Sequence, residues 1–348
     1  MQDSTDRYVA LALQTRCDAV NKLDKAGARA AMLECIARID EQIRGSMVLT
    51  GPSTRLVVLP EYFMTGYPVG DSIDGWADKA AIEPDGPEYE ALSVVAQKYA
   101  IWLCGNAYET DRHFPGYYFQ ACFVIAPSGE TVLRYRRLIS MFAPTPHDVW
   151  DRYLDVYGLD AVFPVADTPI GRLACCASEE ILFPEIVRAH ALRGAEIILH
   201  PTSEVSSPDM TPKEIARRAR ALENLVYVVS ANTAGVHGEG IPSFSVDGMS
   251  KVVDYKGRVL ASAANGESMA ANAEIDLAAL RANRRKPGMP NYFARQRIEL
   301  FAEAYSGTQV YPANSLGNGE TVPERAHFIE TQRETIQRLV EANLIQPE

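Results

Sequence analysis

Short apolar runs alternate along the chain with segments in which apolar residues recur every three to four positions. The runs at 8–13, 56–59, 101–108, 118–125, 173–177, 196–200, 226–231, 250–253 and 271–275 are short and rich in Val, Ile, Leu and Tyr, which predicts strands. Helical spacing predicts helices over 28–44, 88–99, 184–193, 212–224 and 277–285. The alternation is that of an α/β fold. Two strand-turn-strand units interrupt it, at 122–134 around Ser128-Gly129 and at 250–262 around Lys256-Gly257, so the sheets should carry antiparallel edges. With no low-complexity linker between the halves, residues 1–285 read as one layered domain. From 286 to 348 the texture turns Pro-, Gly- and Asn-rich and ends in an amphipathic helix at 326–342, a tail expected to pack on the body or on a partner subunit.

Composition narrows the classes. The chain has 348 residues, 47% apolar, with 34 Lys plus Arg against 45 Asp plus Glu, for a net charge of −11. That acidic balance argues against gripping nucleic-acid phosphates, which requires a Lys/Arg surplus. No run approaches the ~18 apolar residues of a membrane span, and residues 1–25 lack a basic region followed by an apolar stretch, so a cytoplasmic location is expected. The six cysteines show no CxxC spacing and read as reduced, buried thiols. The six histidines are dispersed without an HExxH pattern, and neither a metal nor a cofactor is called for.

Four segments place polar residues just beyond apolar strands, where open α/β sheets present ligands. Leu56-Val-Val-Leu-Pro-Glu61-Tyr delivers a carboxylate from a buried-looking strand, suited to general-base work, although a loop-capping Glu would look the same. Leu133-Arg-Tyr-Arg-Arg137 clusters basic residues, which by itself also fits a solvated strand edge. Leu173-Ala-Cys-Cys176-Ala-Ser178-Glu179-Glu180 breaks from a strand of small residues towards a helix starting at Pro184, the logic of a nucleophile elbow, but without its GxSxG spacing. Finally, a helix carrying Arg218, Arg220 and Glu223 runs into the strand ending at Asn232, and its charges could be a helix-face ion pair.

In this order and spacing the segments resemble the carbon–nitrogen hydrolase (nitrilase) superfamily over nearly the whole chain, and the tail from Arg284 to Thr308 is similar to the aliphatic-amidase branch. The resemblance implies a four-layer αββα sandwich, association into homo-oligomers through the tail, and action on a small amide, nitrile or related C–N compound. It also implies a Glu base, a Lys that stabilises an oxyanion, a Cys nucleophile and a second, assisting Glu. Here Glu61 matches the base, Arg137 stands at the lysine position and Ser178 at the nucleophile position. The second carboxylate falls in 143–150, where Asp148 is nearest. Glu180 agrees with the acid usually found two residues past the nucleophile.

A serine hydroxyl is far less acidic than a thiol and needs a base in hydrogen-bond reach, whereas a guanidinium stays protonated and shuttles no proton. The implied chemistry is therefore non-thioester, with Glu61 as base, Arg137 as oxyanion or carboxylate clamp, and Ser178 or a water as nucleophile. The other outcome is a catalytically inactive relative that binds a small molecule or a partner. Cys176 reads as a packing thiol. Tyr62, His147, Trp150, Glu180 and Glu204, the last in the loop Pro201-Thr-Ser-Glu204, are the candidate substrate contacts, and His147 beside Asp148 is also a candidate base for Ser178.

Overall fold

The computed structural model describes residues 6–346. Two six-stranded sheets lie face to face between helices. The first runs in the order Asn272–Asp276, Arg7–Ala12, Thr54–Val58, Trp102–Thr110, Tyr118–Ile125, Thr131–Arg136. Its three central strands are parallel and its outer pairings antiparallel. The second runs Val259–Ser262, Lys251–Val253, Tyr227–Ala231, Ile197–Pro201, Gly171–Cys175, Ala166–Thr168, again with a parallel centre and antiparallel edges. The two hairpins expected from Ser128-Gly129 and Lys256-Gly257 form one edge of each sheet.

Strand alternation sorts the core into layers. In the first sheet Leu56 and Val58 face the second sheet, together with Ala10, Ala12, Cys104 and Val124, while Val57 and Leu59 face the helices Lys25–Thr50 and Pro87–Tyr99 with Leu11 and Leu103. Both faces are covered, which is why these strands read as continuous apolar runs. Helices Pro184–Leu192 and Pro212–Asn224 cover the outer face of the second sheet through Ile186, Val187, Ala216 and Ala221. The result is an αββα sandwich, as expected.

Helices Pro212–Asn224 and Leu277–Arg285 have the expected bounds, and the others differ by a few residues, with Lys25–Thr50 running through Gly45 to end beyond the expected 44. The pattern missed helix Ile73–Ala80, whose buried Ile73, Trp76, Ala77 and Ala80 follow helical spacing over only two turns, with Gly75 taking the cap from Ser72. Helix Trp150–Tyr157 was missed as well, having only Tyr153 fully buried. The C-terminal segment packs on the body: Asn314 and Leu316 donate backbone N–H groups to the carbonyls of His147 and Asp148, and Phe328 of helix Ala326–Glu341 enters the core on the helix side of the first sheet. Among the described residues no helix is long and apolar enough to cross a membrane.

Candidate functional site

The parallel strands of both sheets end on the same side of the sandwich, and their C-terminal ends line a cavity of about 470 Å³. Strand Thr54–Val58 runs through Leu59-Pro60 to Glu61, whose backbone N–H reaches across to the Thr202 carbonyl of the other sheet (3.3 Å). Strand Gly171–Cys175 runs through Cys176 and Ala177 into a single turn at Ser178–Leu182 before helix Pro184–Leu192. Tyr62 and Ser178 both adopt left-handed backbone conformations, with φ of 55° and 51°. This geometry is disfavoured for residues with a Cβ and persists where the surroundings over-determine it.

The elbow at Ser178 is held from two directions. Glu180, fully buried, accepts from the backbone N–H groups of Leu138 (2.7 Å), Ile139 (3.2 Å) and Ala177 (3.1 Å) and from the Tyr135 hydroxyl (2.8 Å). It thereby ties the elbow to the segment carrying Arg137. Burial pushes its pKa up to about 7, against the opposing pull of Arg137 and these donors. From the other side, His200 bonds the Ser178 carbonyl through Nε2 (2.7 Å) and the Ser230 hydroxyl through Nδ1 (2.8 Å). A carbonyl only accepts, so Nε2 carries the proton and Nδ1 accepts from Ser230. Burial, then the charges of Arg217 and Lys213, hold His200 well below the usual imidazole pKa and keep it neutral.

All four of Glu180's partners are donors, so an amide in its place would turn an NH₂ group towards two of them. Glu180→Gln is expected to destabilise the fold by about 2–4 kcal/mol, read as a lower urea midpoint with an unchanged slope. A midpoint within experimental error of the parent would show that these bonds do not secure the elbow.

Arg137 organises the floor of the cavity. Its Nε donates to the Ile139 carbonyl (2.6 Å), its Nη1 to Gln120 Oε1 (2.9 Å) and Glu61 Oε1 (3.4 Å), and its Nη2 to Glu179. Four of its five N–H groups are thus engaged, leaving one on Nη2. Gln120 donates to Glu61 Oε1 (2.6 Å) and accepts from the Tyr62 hydroxyl (3.1 Å), fixing the carboxylate from a second side. Stacked Tyr62 and Tyr108, with Tyr67 and Tyr118 edge-on to them, form an aromatic wall.

Lys213 completes the floor. Its Nζ lies 3.0 Å from Ser178 Oγ, 3.1 Å from the Ser203 carbonyl and 3.3 Å from Thr202 Oγ1, three partners for the three protons of an ammonium. Burial lowers its pKa below the ordinary lysine value, opposed mainly by the negative charges of Glu61 and Glu204. Lys213 is the second residue of helix Pro212–Asn224, where a cation opposes the helix dipole. Behind it, Glu204 pairs with Arg217, and Glu214 with Lys251, in a buried network that fixes the start of the helix.

Glu61, Tyr62, Arg137 and Ser178 are therefore brought together in one cavity, as the sequence suggested. Five other expected site residues lie outside its lining. Asp148 caps its own turn, accepting from Thr145 N (2.9 Å), Thr145 Oγ1 (2.7 Å) and Ser315 Oγ (2.7 Å), because Thr145 and Asp148 form a reciprocal capping box. His147, on that same turn, packs against Trp150 and the C-terminal Tyr311. Glu204 is drawn to Arg217. Glu180 serves the elbow's backbone from beneath. The second carboxylate in the cavity is Glu179. Cys176 is fully buried with its thiol pKa raised well above normal, and all six cysteines are free and buried. Lys213, Gln120, His200 and Arg325 escaped the sequence reading. For Lys213 a signal existed, a lysine placed against the dipole at a helix start.

Comparison with known proteins agrees with this architecture. The family model described as carbon-nitrogen hydrolase matches residues 12–285. An omega-amidase of Xenopus laevis is 27% identical over 223 residues, 64% of this chain and 77% of that protein. A nitrilase and fragile histidine triad fusion protein of Caenorhabditis elegans is 30% identical over 250 residues, 71% of this chain and 54% of the longer protein. Among solved structures, a carbon-nitrogen hydrolase from Helicobacter pylori superposes with a TM-score of 0.64 at 21% identity, covering 86% of this chain and 98% of that one. With four-fifths of the chain under the family model and the same sandwich in the superposed structure, this chain belongs to the carbon-nitrogen hydrolase family, hydrolases of C–N bonds other than peptide bonds.

Proposed function

We propose that the chain hydrolyses a small amide, or a related C–N compound, by acyl transfer to the Ser178 hydroxyl instead of through a thioester, with Lys213 as the proton acceptor. The observation that carries this reading is the 3.0 Å contact between Lys213 Nζ and Ser178 Oγ at the floor of the cavity. A neutral Lys213 has a lone pair where its ammonium had the third proton, and that lone pair can accept from Oγ–H. Oγ attacks the carbonyl carbon, its proton passes to Nζ, and the carbonyl π pair moves onto oxygen. Collapse of the tetrahedral species breaks the C–N bond, and the departing nitrogen takes the proton from Nζ. Water then attacks the acyl-serine, its proton again going to Nζ, and the acid leaves as Ser178 regains its hydrogen.

The surrounding charges suit each step. Glu61 favours the lysinium that forms, and the free Nη2 proton of Arg137 with its fixed positive charge suits the developing oxyanion. Ser178 here takes the nucleophile position and Arg137 the lysine position of the family pattern. The test is rapid quench of the purified protein on short amides and nitriles, with ammonia measured and the protein weighed intact and after digestion. The expected result is ammonia release with a transient acyl mass on the peptide containing Ser178. Ammonia without any acyl adduct would favour direct attack by water with Glu61 as base, and ligand binding without ammonia would favour the non-catalytic reading.

A further inference from the structure

Lys213 reaches Ser178 from the first turn of helix Pro212–Asn224, so the contacts that set this turn also set the pair. Glu204 sits at their centre, buried yet outside the cavity lining. Its carboxylate accepts from the hydroxyl of Thr211, the N-cap of the helix, and from Nη2 of Arg217, one turn beyond Lys213. The Thr211 oxygen in turn accepts from the Glu214 backbone N–H (3.2 Å). Arg217 is fully buried, and Glu204 is its nearer counter-charge, with Glu214 at 3.6 Å. One side chain therefore holds both the cap and the second turn of the helix.

The backbone of Glu204 is fixed as well. Its N–H donates to Asn232 Oδ1 (2.8 Å) and its carbonyl accepts from Asn232 Nδ2 (3.4 Å), just past strand Tyr227–Ala231. Two of the three acceptors of Lys213 Nζ, the Ser203 carbonyl (3.1 Å) and Thr202 Oγ1 (3.3 Å), lie one and two residues before Glu204. Glu204 thus joins the helix that carries Nζ to the strand end that seats it. Between Glu204 and Thr211 the chain makes a loop in which Val205 and Met210 are exposed, and the Glu204 carboxylate closes the neck of that loop.

We propose that Glu204 is a positioning residue for the reaction, clasping Thr211 and Arg217 so that the first turn of the helix carries Lys213 Nζ against Ser178 Oγ, without itself meeting the substrate. This rests on the acyl-transfer reading for the role of Lys213, while the clasp itself is a matter of geometry. The charges facing Nζ are Glu61 from the first sheet, Glu179 from the elbow, Glu204 from the loop and Arg217 from its own helix, with neutral His200 on strand Ile197–Pro201. Removing the negative charge of Glu204 makes the ammonium less favourable, so the activity of a base at Lys213 then rises at lower pH.

Glu204→Gln and Glu204→Ala in the full chain separate position from charge. The amide can accept from Arg217 and donate to Thr211 Oγ, keeping the clasp without the charge, whereas alanine loses both. A misplaced base costs about 10- to 100-fold, so Glu204→Ala is expected to lose that factor in kcat with KM kept within about twofold. Glu204→Gln is expected to keep most of kcat, with its ascending pH limb displaced downwards. Acetic anhydride labelling of Lys213 across pH, weighed on its peptide, gives a readout free of turnover: the midpoint falls in the glutamine variant, and the high-pH labelling rate rises in the alanine variant alone. Circular dichroism and thermal unfolding establish that both variants are folded. Parental kcat in Glu204→Ala, a loss that falls on KM, or a labelling rate unchanged by alanine overturns the clasp. If labelling responds as expected while Ser178→Ala leaves turnover intact, the acyl-transfer reading fails and the clasp stands.

Discussion

Ser178→Ala is expected to reduce amide turnover by about 10³-fold or more, because it deletes the atom that forms the acyl bond and leaves only binding and charge stabilisation. The loss falls on kcat, since the alanine removes no contact to the substrate beyond Oγ. Substrate affinity, measured by calorimetry, is expected to persist. The measurement is ammonia release at saturating amide with a high concentration of the alanine variant, compared with the parent at the same protein concentration. A variant retaining more than about a tenth of parental kcat would remove serine from the mechanism and favour a water activated by Glu61.

Lys213→Met is expected to lower kcat/KM by roughly 10²–10⁴-fold, the usual effect of deleting a general base, with the unbranched methionine keeping most of the side chain's packing. The pH profile carries the sharper test. The active form requires an unprotonated Lys213, so activity rises with pH through its pKa and levels off above it. Burial places that rise below the ordinary lysine pKa of about 10.4. In Lys213→Met this ascending limb disappears, and in Lys213→Arg activity stays low across the range because the guanidinium does not give up its proton. An ascending limb that persists unchanged in the methionine variant would assign it to another group.

The parts of the fold legible in the chain were those whose burial leaves a period. Strands buried on both faces left continuous apolar runs, and helices Pro212–Asn224 and Leu277–Arg285 left stripes with clear ends. Helix Ile73–Ala80 is two turns long and left too few repeats to register. The site divides the same way. Glu61 and Ser178 directly follow apolar strands and were legible by position. Asp148 and His147 were misread because their turn is stabilised by its own cap and by the C-terminal segment, contacts with no local signature. Lys213 and Arg325 reach the cavity from a helix start and from the tail. Their juxtaposition with Ser178 and the mouth arises only from tertiary packing.

The bonding around Arg137 also limits how this site can change. Its guanidinium meets four acceptors, on Ile139, Gln120, Glu61 and Glu179, arranged around a plane. A lysine offers three protons from a single point and would leave at least one of these groups unmatched, while a neutral residue would remove the counter-charge from buried Glu61 and partly exposed Glu179. Ser178 in turn shares its hydroxyl with Lys213. A sequence drifting between this constellation and a cysteine-lysine one would therefore cross poorly stable intermediates. Its pocket residues are expected to be inherited as a block, with Arg137, Glu179, Ser178 and Lys213 present together or absent together.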